Sequence, residues 1–216
     1  MARATHPTFW DVDTQVDFIM PDGKLYIPGA EEVLPNLKKL TDYAHEKGIQ
    51  ILGSVDYHSP DDPEMSDHPD FKETFPPHCL AGTPGQEKVP ETRPLNPLWI
   101  PNEPMDPEEL RKQVLEHEGE IIFRKQWFDV FTNPNVPTVL ETLRPEHLVV
   151  YGVALDVCDA YAIEGFLKRG DVKVSLVLDA TKAIDPKRGE QLVEEWRRRG
   201  VQIVSTEEVL SGKLEG

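Results

Sequence analysis

Short apolar runs alternate with stretches of helical periodicity along most of this 216-residue chain, and that alternation constrains the fold more than any single motif does. Runs at Thr8–Asp13, Ile49–Val55, Glu120–Arg124, His147–Val153, Val172–Leu178 and Val201–Val204 read as strands. Between the first two, Val33, Leu34, Leu37, Leu40 and Ala44 share one helical face, and Gly48 ends the helix. Asp106-Pro107 opens a second helix through Leu115, with Asp106 as N-cap and proline in the first turn. Further helices are expected at Val136–Leu143, from Val157 to Gly170, at Lys187–Arg199 and at the C-terminus. Strands separated by helices pair in parallel and carry helices on both faces. The expected fold is α/β: a six-stranded, mostly parallel sheet in a three-layer, Rossmann-like arrangement, with residues 1–216 forming one domain.

Residues 56–106 do not follow the pattern and hold many of the prolines. A structured loop this long inside a compact domain tends to carry function. One part includes His78, Cys79 and Gly82; the other, Pro90 to Pro107, reads as a surface insertion or an interface arm. The net charge of −16 argues against a nucleic-acid partner, whose phosphates need Lys and Arg, and against docking on anionic lipid. The chain has no transmembrane run, and Met1 to Thr8 lacks an apolar signal core, so a cytoplasmic protein is expected. In that reducing compartment Cys79 and Cys158 are expected to be free thiols.

In an open parallel sheet, ligands bind beyond the carboxyl ends of the strands. The first strand ends in Asp13, the second runs into Asp56 and His58, the third runs into Lys125, and the fourth leads through Gly152 to Cys158 at a helix start. A helix N-terminus stabilises a thiolate, and a strand-to-helix turn presents N–H groups to an oxyanion. Asp13 could take the thiol proton and return it to a departing amine, while Lys125 could hold both groups by charge. Each residue also has a plainer use. Asp13 could be a turn former with Asp11 or Asp17 in its place, and Lys125 could be a solvated strand-end charge like Arg124 beside it.

Three motifs then resemble the isochorismatase-like cysteine hydrolases. They are Val12-Asp13-Thr14-Gln15-Val16-Asp17-Phe18, the turn Gly152-Val153-Ala154-Leu155-Asp156-Val157-Cys158, and Phe123-Arg124-Lys125 with Phe128 and Phe131 following. The resemblance covers nearly the whole chain in order. It implies an Asp13–Lys125–Cys158 triad, a cis peptide at Val153–Ala154, and an oxyanion hole from the amides of Ala154 and Cys158.

Asp56-Tyr57-His58 and Phe75-Pro76-Pro77-His78-Cys79 further resemble the metal segments of the nicotinamidases within that family, segments that many carbamoyl-hydrolase relatives lack. The implied metal ligands are Asp56, His58 and His78, with Asp70 preferred as the fourth over His68 and Glu64. Such a donor set suits Zn²⁺ first, with Fe²⁺ or Mn²⁺ as alternatives. The resemblance implies hydrolysis of nicotinamide or another small amide, a part in NAD salvage, a ring held by Phe18, Phe75 and Trp127, and a homo-oligomer. Asp159 departs from the family pattern, which favours an apolar residue after the cysteine.

Overall fold

In a computed structural model that describes residues 7–214, seven strands form one sheet: β1 Thr8–Val12, β2 Ile51–Asp56, β3 Leu98–Ile100, β4 Ile121–Lys125, β5 His147–Val153, β6 Lys173–Lys182 and β7 Gln202–Val204. Their order is β3-β4-β2-β1-β5-β6-β7, and every pairing is parallel. The helices are α1 Val16–Ile19, α2 Leu34–Lys47, α3 Pro107–Glu116, α4 Val136–Leu143, α5 Cys158–Arg169, α6 Pro186–Arg198 and α7 Thr206–Leu210. No helix among the described residues is long and apolar enough to cross a membrane.

Strand alternation sends successive side chains to opposite faces, so the sheet needs an apolar layer on each side. Trp10, Leu148 and Val150 face a core shared with Leu110 of α3, Leu140 of α4, Phe166 of α5 and Trp196 of α6. Phe9, Val149 and Tyr151 face the other core, with Leu37, Leu40 and Ala44 of α2 and Val209 of α7. Trp10 stacks on Phe123 at 5.7 Å between ring centres and meets Phe166 edge-on at 4.8 Å, tying β1, β4 and α5 together.

The expected fold class holds, with one strand more than the six expected. Leu98–Ile100 pairs along β4, with Leu98 opposite Ile121, so the Pro90–Pro107 stretch is stitched into the sheet edge instead of hanging free as an arm. Three residues between Pro97 and Pro101 carry too little pattern to read as a strand, and proline is tolerated there only because the strand is an edge. Glu120, buried at the start of β4, fixes the approach by accepting N–H bonds from Leu95 and Asn96. The sixth strand in space, β6, also runs past Leu178, because its pairing with β5 resumes after a register shift, with Gly152 opposite Thr181.

Candidate active site

The sheet brings the strand-end residues together, and local contacts separate them from their rivals. Asp13 follows β1 in the left-handed region at φ 46°, a strained backbone for a residue with a side chain. Its N–H donates to Ser54 O at 3.1 Å, and the Ser54 hydroxyl donates to its Oδ1 at 2.7 Å. Lys125 Nζ lies 2.8 Å from Asp13 Oδ2. Asp11 is instead paired with buried Lys88 at 3.0 Å, and Asp17 accepts the N–H groups of Cys79 and Lys24. Arg124 points to the other face of β4, its guanidinium 4.0 Å from the centre of the Tyr57 ring.

Lys125 is fully buried and ends between three groups. Besides Asp13 it bonds Asp56, and its Nζ is 3.8 Å from Cys158 Sγ. Burial works against its charge, but Asp13 and Asp56 hold the ammonium well above the ordinary lysine range. At Cys158, burial first and then the charges of Asp13 and Asp56 push the thiol up, against the pull of Lys125. The resting group is therefore a thiol. It becomes a nucleophile only if a neighbour takes its proton.

The turn into α5 is built for close approach. Gly152, at φ 129°, lies where a Cβ would sit 2.0 Å from Val12 O, so only glycine fits. The Val153–Ala154 peptide is cis. Ala154 O accepts from Val157 and Asp159 N–H, and Leu155 N–H donates to Lys182 O. Cys158 is the first residue of α5, so its own N–H lies outside the helical ladder. Asp156 ties the turn to the next loop by accepting from Ile184 and Asp185 N–H, both at 2.8 Å.

Beside Lys125, four buried side chains converge: Asp56, His58, Glu64 and His78, with their ligand-type atoms within 4.8 Å of one another. His58 Nδ1 donates to Asp62 at 3.1 Å and His78 Nδ1 to Pro76 O at 2.8 Å, which leaves both Nε2 atoms aimed into the cluster. His58 Nε2 sits 3.0 Å from Glu64 Oε1 without hydrogen-bond alignment, and Glu64 Oε2 is buried with no hydrogen-bond partner among the described residues. Burial would lower His58, yet Asp56 and Glu64 push it up to about 10. Orphaned acceptors that draw in positive charge, with two oriented imidazoles, fit a divalent cation.

The fourth member is Glu64, which corrects the preference for Asp70. Asp70 is exposed, and its carboxylate accepts from Lys72, Glu73 and Thr74 N–H as the pin of a surface turn. His68 is exposed too. Spacing alone does not select Glu64 over Asp70 or His68, because an irregular loop carries no period. Its backbone bond to Phe75, 2.7 Å long, is what folds it back toward His78.

A cavity of about 520 Å³ opens over Cys158, with Asp56, His78, Phe18, Phe75, Phe128 and Ala154 in its wall. Phe18 and Phe75, expected to hold a ring, both line this cavity. Trp127 is not in the wall; it lies behind Phe128, ring centres 4.6 Å apart, and Phe128 packs edge-on against Phe75 at 5.5 Å. Adjacent aromatics leaving a strand point different ways, and the sequence does not say which turns inward.

An isochorismatase domain model matches residues 11–106 and 96–208. The chain belongs to the isochorismatase family. It is 24% identical over 200 residues to the nicotinamidase/pyrazinamidase of Mycobacterium tuberculosis, covering 89% of this chain and 95% of that protein. Its structure is similar to the zinc complex of Pyrococcus horikoshii pyrazinamidase, with a TM-score of 0.71, 25% identity, and 93% and 99% of the two chains covered. It shares its fold with the N-carbamoylsarcosine amidase of Thermoplasma acidophilum at a TM-score of 0.69 and 23% identity, over 94% and 97% of the chains.

One residue of this isochorismatase-family chain went unassigned in the sequence. Asp159 is fully buried beside Cys158; the Thr181 hydroxyl donates to its Oδ2, while Oδ1 has no partner among the described residues. Burial, then the charges of Asp13 and Asp11, push its carboxyl up to about 8 despite the Thr181 bond. The extended β6 that supplies Thr181 is the reason an acid is tolerated where an apolar residue was expected.

Proposed function

We propose that this isochorismatase-family amidohydrolase is a nicotinamidase: it hydrolyses nicotinamide to nicotinic acid and ammonia through a thioester on Cys158. The observation that carries the reading is the Asp56–His58–Glu64–His78 cluster opening, through Asp56 and His78, into the same aromatic cavity that holds Cys158. A site that only needed an amide and a thiol would have no use for it.

Asp13 takes the thiol proton, and Lys125, in reach of both, compensates the charge that moves from carboxylate to sulfur. The sulfur adds to the amide carbon, and the oxyanion meets the N–H groups of Ala154 and Cys158. Asp13 returns its proton to the nitrogen, and ammonia leaves. Water, losing a proton to Asp13, then splits the thioester, so the acid departs and the thiol is restored. Phe18, Phe75 and Phe128 enclose the ring and limit water around the thioester. Asp56, His58, Glu64 and His78 would hold the divalent cation, with zinc the metal of the Pyrococcus relative, and it would supply Lewis-acid polarisation and an anchor for a ring nitrogen.

The fold shared with an N-carbamoylsarcosine amidase keeps a second substrate class in play. Ammonia release measured on nicotinamide and on N-carbamoylsarcosine separates them. The reading expects kcat/KM on nicotinamide to exceed the other by at least about a hundredfold, and the reverse order contradicts it.

A further inference from the structure

The cavity over Cys158 has a buried floor and an exposed rim. Asp56, His78 and Cys158 at the floor are buried, whereas Phe71 and Ile184 in the same wall are 64% and 56% exposed. The volume of about 520 Å³ falls in the range that encloses drug-sized molecules, more than a one-ring amide fills.

Three apolar groups stand at this rim beside the exposed Lys72, and a carboxylate holds each of the three in place. The Tyr26 hydroxyl donates to Glu31 at 2.6 Å and accepts from Gly29 N–H at 2.8 Å. Ile184 is held by its N–H on Asp156. Phe71 sits at φ 56°, left-handed for an aromatic residue, on the turn that Asp70 pins through three N–H groups and the Thr74 hydroxyl. Phe71 N–H closes that turn on Thr74 O, and its ring meets Phe75 edge-on at 6.4 Å. A strained residue kept at a cavity mouth, with the large apolar side chains of Phe71 and Ile184 left in water, points to a role in binding. Fixed in advance, these groups lose little freedom when something covers them.

We propose that Tyr26, Phe71 and Ile184 form an outer subsite for a neutral apolar extension on the substrate ring, so that fused-ring aromatic carboxamides bind better than the one-ring amide. Asp70 is the positioning residue of this subsite, through the Phe71 turn. The proposal rests on the nicotinamidase reading for the placement of the amide over Cys158.

Calorimetry on the zinc-loaded Cys158→Ala protein tests it, with nicotinamide and quinoline-3-carboxamide as probes. The bicyclic amide is expected to bind about tenfold tighter, the discrimination a small apolar extension ordinarily gives. In the Cys158→Ala/Phe71→Ala protein that ratio should fall to near one, and Asp70→Asn in the same background should lower it part of the way. Equal affinities for the two amides, or a ratio that survives Phe71→Ala, would overturn the subsite while leaving nicotinamide binding, and the function read from it, standing. Tight binding of the bicyclic amide alone would keep the subsite and remove nicotinamide as the substrate. Binding of neither would remove both.

Discussion

Asp159 shows how one buried acid leaves a mark that can be measured. Its carboxyl, at about 8 in the folded protein against an ordinary 3.8, keeps a proton that the unfolded chain has already lost between those values. Stability therefore falls as pH rises through that window, by up to about 1.4 kcal/mol per pH unit from this group, and levels off above it. Asp159→Asn should flatten the slope of the urea midpoint between pH 5 and pH 8; parallel slopes in the two proteins would count against a neutral Asp159. At the cation cluster, Glu64→Gln should weaken zinc binding by at least about tenfold in equilibrium dialysis, while Asp70→Asn should leave it unchanged. The opposite pattern would restore Asp70 as a ligand. Strand-end residues such as Asp13, Asp56 and Lys125 were legible because the strand pattern puts them on one edge. The choice of Glu64 over Asp70, and of Phe128 over Trp127, was not, since their directions come from loop contacts made only in the folded chain.

Elements were legible in proportion to their periodicity. The helix over Leu34–Lys47, with Gly48 left-handed at its end, and the Asp106 cap of α3 follow from pattern and capping chemistry alone. The short edge strand β3 has no period to read, and the tail of β6 exists only because β5 offers partners after the register shift. Packing between elements was hidden as well. Gly165 in α5 faces Phe131, where a Cβ would lie 2.0 Å from Cε2 of the ring. Phe131 belongs to the segment that follows Lys125, and it also packs on Phe166 at 5.5 Å. Gly165→Ala should gain helix propensity yet lose about 1–3 kcal/mol overall from forced repacking, read as a lowered urea midpoint. A neutral or raised midpoint would mean that Phe131 moves aside freely.

Across the whole molecule, the site draws one group from each of four adjacent central strands. In the order β4-β2-β1-β5, these give Lys125, Asp56, Asp13 and the turn to Cys158. From β1 the sheet builds outward through β2 toward one edge, and the chain then crosses to β5 and builds toward the other. The strand order thus reverses beside β1, where open parallel sheets leave a crevice at their carboxyl ends. That arrangement explains how residues from 13 to 158 in the chain come to lie side by side, with Lys125 Nζ within 2.8 Å of Asp13 and 3.8 Å of Cys158 Sγ. The most direct measurement is intact-protein mass spectrometry of the zinc-loaded enzyme, acid-quenched during turnover of nicotinamide. The proposed thioester route predicts a nicotinoyl adduct on Cys158 that disappears as substrate is exhausted. Ammonia release with no adduct, together with undiminished turnover in Cys158→Ala, would contradict it.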